Sequence, residues 1–149
     1  MQSDRNLLQA DASISQRSKP RIAIGEVKAR HCLGMDIKNW AMYAGCFTDD
    51  VELDTRPAGG RDRNEVLAIL CRPVETVHTC RHIHSPAMTF NADGSADVIR
   101  ADLIWAMQDR VTWGAGGHWR IARTKLARLH SDNHLEDGIT QAAPNPVPG

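Results

Sequence analysis

The chain has 149 residues, 18 Lys and Arg against 18 Asp and Glu, and 42% apolar residues. That length and apolar share suit one domain with one core, and the scattered, balanced charge argues against a nucleic-acid or anionic-membrane partner. No apolar run approaches the roughly 20 residues of a membrane-spanning helix.

Segment 1–19 is rich in Ser, Gln, Asp and Arg and reads as a polar arm, at best partly helical. It holds no apolar h-region, so no export signal is expected. The four cysteines, Cys32, Cys46, Cys71 and Cys80, form no CxxC pair, which points to free thiols in a reduced, cytoplasmic compartment.

Pro20 can open a first helix, because its missing N–H costs nothing there. Ala23, Ile24, Val27 and Leu33 suit one helical face, and Gly34 is the expected stop. Asn39 can cap a second helix carrying Trp40, Tyr43, Ala44 and Phe47. Val51 and Leu53 alternate with acids as a short strand. Pro57 to Gly60 reads as a turn. Asp62 or Asn64 then caps a third helix with Val66, Leu67, Ile69 and Leu70, stopped at Pro73. Ile83 to Phe90 reads as a strand, 91–94 as a hairpin turn, Ala96 to about Val111 as one long strand, Gly114 to Gly117 as a turn, and His118 to Leu129 as the last strand. The Pro-rich tail 131–149 is expected to be disordered. The order defines an α+β domain over 20–130: three helices on a curved antiparallel sheet, with one pocket for a small ligand.

Several residues could carry chemistry. On a strand, His82 and His84 would face the same space. With His78 and Cys80 they form a zinc-like cluster, but a third and fourth ligand would have to come from positions without recognisable spacing, so no metal is assigned. Asp36, between the first two helices, could orient a histidine and raise its basicity, or serve as a turn carboxylate. His31 could look into the same pocket or simply favour its helix C-terminus. Arg100 and Asp102 share a strand face, as an ion pair or as a polar patch on the pocket wall. The opposite face of that strand, with Trp105 and Met107, would leave an apolar patch to be covered, which predicts a homo-oligomer, dimer or trimer. No phosphate loop, dinucleotide fingerprint or esterase elbow occurs, so no cofactor is expected.

Six groups of residues together resemble one family. Asp36-Ile37-Lys38-Asn39-Trp40, Cys46 to Val51 and Gly60-Arg61-Asp62 resemble the start of SnoaL-like proteins of the nuclear transport factor 2-like superfamily. His82 to Pro86, Ile104 to Val111 and Trp119 to Leu126 resemble its later part. The resemblance implies a cone-shaped α+β fold, and a cofactor-independent lyase or isomerase of the dehydratase kind acting on a small apolar or cyclic ligand. It implies Asp36 as the orienting carboxylate of a dyad whose histidine is His82 or His84. His31, Trp40, Arg100 and Asp102 would hold the substrate. The same fold without chemistry, as a ligand-binding or assembly domain, is the alternative. One departure stands out: a strand that the family pattern has between the Trp105 region and Trp119 has no counterpart, so one strand is expected to be shortened or missing.

Overall fold

The computed structural model describes residues 2–55, 59–101 and 105–128. Asp102 and the tail 131–149, both discussed above, lie outside the described residues. Helix α1 runs from Gln2 to Asp36 and continues through Pro20. The expected arm is therefore helical, and Pro20 is an interior residue and not a helix start. Its ring removes one i→i−4 hydrogen bond, yet the helix is long enough to carry on past it.

On the described part of α1 the buried positions with a side chain are Ile24, Val27, Lys28, His31, Cys32 and Met35. They recur at helical spacing and form the stripe that faces the sheet. Gly34 does not end the helix. It lies inside α1, where a Cβ would stand 2.9 Å from the backbone nitrogen of Tyr43. The glycine lets α2, Trp40–Ala44, cross α1 at backbone distance. Asn39 caps α2 as expected, its Oδ1 accepting from the Met42 N–H at 3.0 Å. Phe47 is not part of that helix but opens strand β1, Phe47–Asp54. Strand β2 is only Gly59–Gly60. Helix α3, Arg63–Cys71, is capped by Asp62, whose Oδ1 accepts from the N–H groups of Asn64 and Glu65. A single 3₁₀ turn at Arg72–Val74 follows, with Pro73 inside it.

Segment 75–86 contains no helix or strand; β3 is only Ala87–Phe90. His82 and His84 therefore precede the strand on which they were expected. The 91–94 turn is present: Gly94 takes φ +80°, and Asp93 Oδ1 accepts from Ser95 N–H and Oγ. The one long strand expected from Ala96 to about Val111 is two: β4, Ala96–Ala101, and β5, Trp105–Trp113, paired antiparallel. Strand β5 thus fills most of the interval between Trp105 and Trp119. Strand β6, Trp119–Arg128, follows the Gly114–Gly117 turn.

The sheet order is β2-β1-β6-β5-β4-β3, open at both edges. All neighbours are antiparallel except β1 and β6, which run parallel. Cross-strand partners share a face, which fixes what looks inward. One row joins Val98, Asp109, Thr124 and Leu53. The next joins Arg100, Met107 and Leu126. Splitting the long strand resets the alternation, so Arg100 and Met107 share the inner face. Met107 is buried on the inner face, so it is not part of the apolar outer patch in which the sequence pattern places it. The core is closed by Ile24, Val27, Tyr43, Phe47, Val51, Val66, Val98, Val111 and Ile121, each fully buried side chain contributing about 1.5–3 kcal/mol. All four cysteines are free.

Candidate functional site

Helix α1 lays its stripe across the inner rows of the sheet, and three polar residues of that packing are charged. Lys28, Arg100 and Asp109 are each buried. Lys28 Nζ lies 2.9 Å and Arg100 Nη1 3.7 Å from the same Asp109 oxygen, Oδ2. The other oxygen, Oδ1, accepts from Thr124 Oγ1 at 2.7 Å. The Lys28 contact is an ion pair by distance, but its geometry does not make a hydrogen bond. Burying charge is tolerable only with such partners, and here one carboxylate serves two cations.

Beside this cluster is a cavity of about 40 Å³ lined by His31, Met35, Tyr43, Leu70, Arg81, Met107, Thr124 and Leu126. His31 packs on Tyr43 (centroids 4.6 Å) and edge-on to Phe47 (5.4 Å). Its Nδ1 and the Tyr43 hydroxyl are buried without a hydrogen-bond partner. Burial, and then the charges of Lys28, Arg81 and Arg100, hold the His31 pKa well below the usual imidazole value, so the ring is neutral. Burial likewise pushes the Tyr43 hydroxyl up, so it stays a protonated donor. Arg81 reaches the cavity from segment 75–86, and its guanidinium contacts the Met35 thioether. A thioether is a weak acceptor, and among the described residues no carboxylate pairs with this guanidinium.

Asp36, at the end of α1, does meet the segment that carries the histidines, but at the preceding residue. Its Oδ2 accepts from the Arg81 backbone N–H at 2.9 Å, and Oδ1 is buried and unpartnered. His82 and His84 are exposed. His82 Nε2 lies 3.5 Å from Cys80 Sγ, and the His84 N–H donates to the Ala101 carbonyl. Neither imidazole is a hydrogen-bond partner of Asp36. The physical reason is local: without a strand over 82–86, the two side chains are not locked to an inward face, and Arg81 takes the inward place. Among the described residues, no three His, Cys, Asp or Glu side chains gather as for a metal. Trp40 is half-buried, edge-on to Tyr43 at 6.2 Å and under the Lys38 ammonium at 5.9 Å. It does not line the cavity.

The expected residues that the fold brings together are thus His31 and Arg100, joined through Lys28 and Asp109. Sequence reading missed Lys28, Tyr43, Arg81, Asp109 and Thr124. Two of these carried a signal. Lys28 interrupts the apolar stripe four residues after Ile24 and seven before Met35, and Asp109 alternates with Met107 and Val111. A charge in an inward register is the mark of a buried polar site.

A nuclear transport factor 2-like or cystatin-like arrangement is the class that this helix-on-open-sheet architecture defines. The match to the SnoaL-like domain over residues 16–138 places the chain in that family: it belongs to the SnoaL-like proteins. Among solved structures it is similar to a candidate scytalone dehydratase from Novosphingobium aromaticivorans (18% identity, 99% of each chain, TM-score 0.64). It is also similar to a nuclear transport factor 2-like protein with a cystatin-like fold from the same organism (17% identity, 85% of this chain and 92% of that one, TM-score 0.66). A ketosteroid isomerase-like protein from Erwinia carotovora atroseptica aligns at 14% identity over 74% of this chain and 96% of that one, with TM-score 0.61. No curated protein matches. Among the described residues, no helix is long and apolar enough to cross a membrane.

Proposed function

We propose that this chain is a cofactor-independent lyase or isomerase acting on a small cyclic ligand, with His31 as its proton-transferring base. The observation that carries this reading is the set of buried polar atoms left without partners at one cavity: His31 Nδ1 and the Tyr43 hydroxyl. Buried polar groups almost always find a partner, so a ligand that both accepts and donates is the complementary occupant. A substrate carbonyl would accept from the Tyr43 hydroxyl. The neutral imidazole, with its proton on Nε2, would take a proton from the adjacent carbon and return it to a neighbouring carbon or to a leaving hydroxyl. An oriented base of this kind contributes typically 10²–10⁴-fold. The similarity to solved structures described as a candidate scytalone dehydratase and as ketosteroid isomerase-like supports the lyase or isomerase reading.

The dyad of Asp36 with His82 or His84 remains a second form of the same proposal. It requires segment 75–86 to advance so that an imidazole replaces the Arg81 N–H at Asp36. A non-catalytic ligand-binding domain is the other reading, favoured by the small cavity and its Met35, Met107, Leu70 and Leu126 walls.

One assay separates the three. Exchange of the C1 protons of 2-tetralone in D2O, followed by NMR, reads proton abstraction from a small cyclic ketone. The expected result is acceleration by the wild-type protein, abolished in His31→Asn and kept in His82→Ala and His84→Ala. Loss in Asp36→Asn and in one of the latter pair, with His31→Asn active, selects the dyad. Binding of 2-tetralone without exchange selects the non-catalytic domain.

A further inference from the structure

The charges around the cavity do not balance. Lys28, Arg81 and Arg100 all act on His31, and the acids bonded within this group are Asp109, which serves Lys28 and Arg100, and Asp36, which is bonded only to a backbone N–H. Arg81 is set against a thioether. Among the described residues, the unmatched cation of this group is the one that lines the cavity, next to the unpartnered His31 Nδ1 and Tyr43 hydroxyl.

We propose that the cavity receives an anion, a carboxylate borne on a ring, with its oxygens on the Arg81 guanidinium, beside the Tyr43 hydroxyl that is left to the carbonyl. This rests on the reading of the cavity as the ligand site and adds the charge of the ligand to it. Three features support the choice. Guanidinium presents a planar fork that matches carboxylate and makes charge-assisted hydrogen bonds, stronger than those to a thioether. The cavity, about 40 Å³, exceeds the roughly 10–15 Å³ that a single water needs. It thus has room for a compact head group and leaves the ring at the Leu70 and Leu126 walls. The excess of positive charge at the half-buried Arg81 supplies a field that a neutral carbonyl would use only in part, because a cation partly removed from water gains most from a full opposite charge.

The test is binding, so it does not depend on turnover. Benzoate and benzamide have nearly the same shape and differ in charge. Each is titrated into the full chain with ¹H–¹⁵N and aromatic NMR detection. The expected result is that benzoate shifts the His31 and Tyr43 resonances and binds about tenfold or more tighter than benzamide, in line with a charge-assisted hydrogen bond to a partly desolvated group. Arg81→Gln should lower benzoate affinity by a similar factor and leave benzamide unchanged. Equal affinity for the two probes overturns the proposal. So does a benzoate preference that persists in a folded Arg81→Gln protein, or shifts confined to Arg110, Arg123 and Lys125 on the outer sheet face. If Arg81→Gln does not fold, the wild-type comparison decides alone. Proton exchange on 2-tetralone with no preference for benzoate removes the anion site and keeps the catalytic reading. A benzoate preference without exchange does the reverse.

Discussion

Lys28 Nζ of α1 lies 2.9 Å from Asp109 Oδ2 of β5, with both side chains almost wholly removed from solvent. This contact ties the long helix to the centre of the sheet, and Arg100 shares the same carboxylate oxygen at 3.7 Å. A lone acid between two buried cations makes the three residues unequal. Asp109→Asn leaves both cations without a counter-charge and should cost about 3–5 kcal/mol. Lys28→Met keeps the Arg100–Asp109 pair and the Thr124 hydrogen bond, fills similar volume, and should cost clearly less. Urea denaturation of the two variants gives the order directly.

His31 links the site to stability through pH. Burial and the neighbouring cations lower its folded-state pKa, so above about pH 6.5, the ordinary imidazole value, both folded and unfolded forms are neutral there. As pH falls below that value the unfolded chain takes up a proton that the folded one refuses, and stability drops with a slope of up to about 1.4 kcal/mol per pH unit until the folded pKa is reached. The expected outcome is a urea midpoint that declines from pH 7.5 to pH 5 in the wild type and declines less in His31→Phe.

Gly34 offers a test of the α1–α2 contact. A Cβ at this position meets the Tyr43 backbone nitrogen at 2.9 Å, with Asn39 O and Tyr43 Cα at 3.2 Å. Backbone cannot step aside as a flexible side chain can. Gly34→Ala should therefore destabilise by about 1–3 kcal/mol, even though alanine is the better helix former by about 1 kcal/mol. Because Tyr43 stacks on His31, the thermal midpoint should fall together with a change in the His31 ring resonances.

Asp62 holds the start of α3 by two backbone hydrogen bonds at 2.8 and 3.0 Å. Asp62→Ala should cost about 1 kcal/mol and leave 2-tetralone exchange unchanged, since α3 reaches the cavity only through Leu70 at its far end. Thermal melting alongside the exchange assay checks both halves.

Features set by near neighbours in the chain were legible in the sequence. The Asn39 and Asp62 caps and the 91–94 turn each depend on a few consecutive residues, and the family and its α+β fold followed from their order. What was not legible depended on distant partners. Ala101 to Ile104 contains neither Gly nor Pro, so nothing announced a break between β4 and β5, and a single undetected break inverted the faces of everything after it. Met107 and Asp109, after that break, therefore face inward, against the alternation of one continuous strand. Arg81, not His82 or His84, meets Asp36 because a segment without strand pairing has no fixed alternation, and one residue of register decides which side chain enters. The buried cluster was hidden because its charge balance is a property of α1, β4 and β5 together.

The parallel pairing of β1 with β6 has a consequence for how the molecule forms. Thr48 and Ile121 touch across 73 residues of sequence, the hydroxyl donating to the carbonyl at 3.5 Å, and the Ile121 N–H donates to Cys46 at 2.8 Å. Until β6 has been made, β1 has only the two-residue β2 beside it. A nascent chain therefore holds the strand that follows its first helices with an open edge through most of synthesis. Closing so long a loop before any reward is the slow step expected of non-local pairing, and the waiting edge is where two unfinished copies would stick to each other. Assembly of this domain is a race between the arrival of its last strand and the attachment of a neighbour.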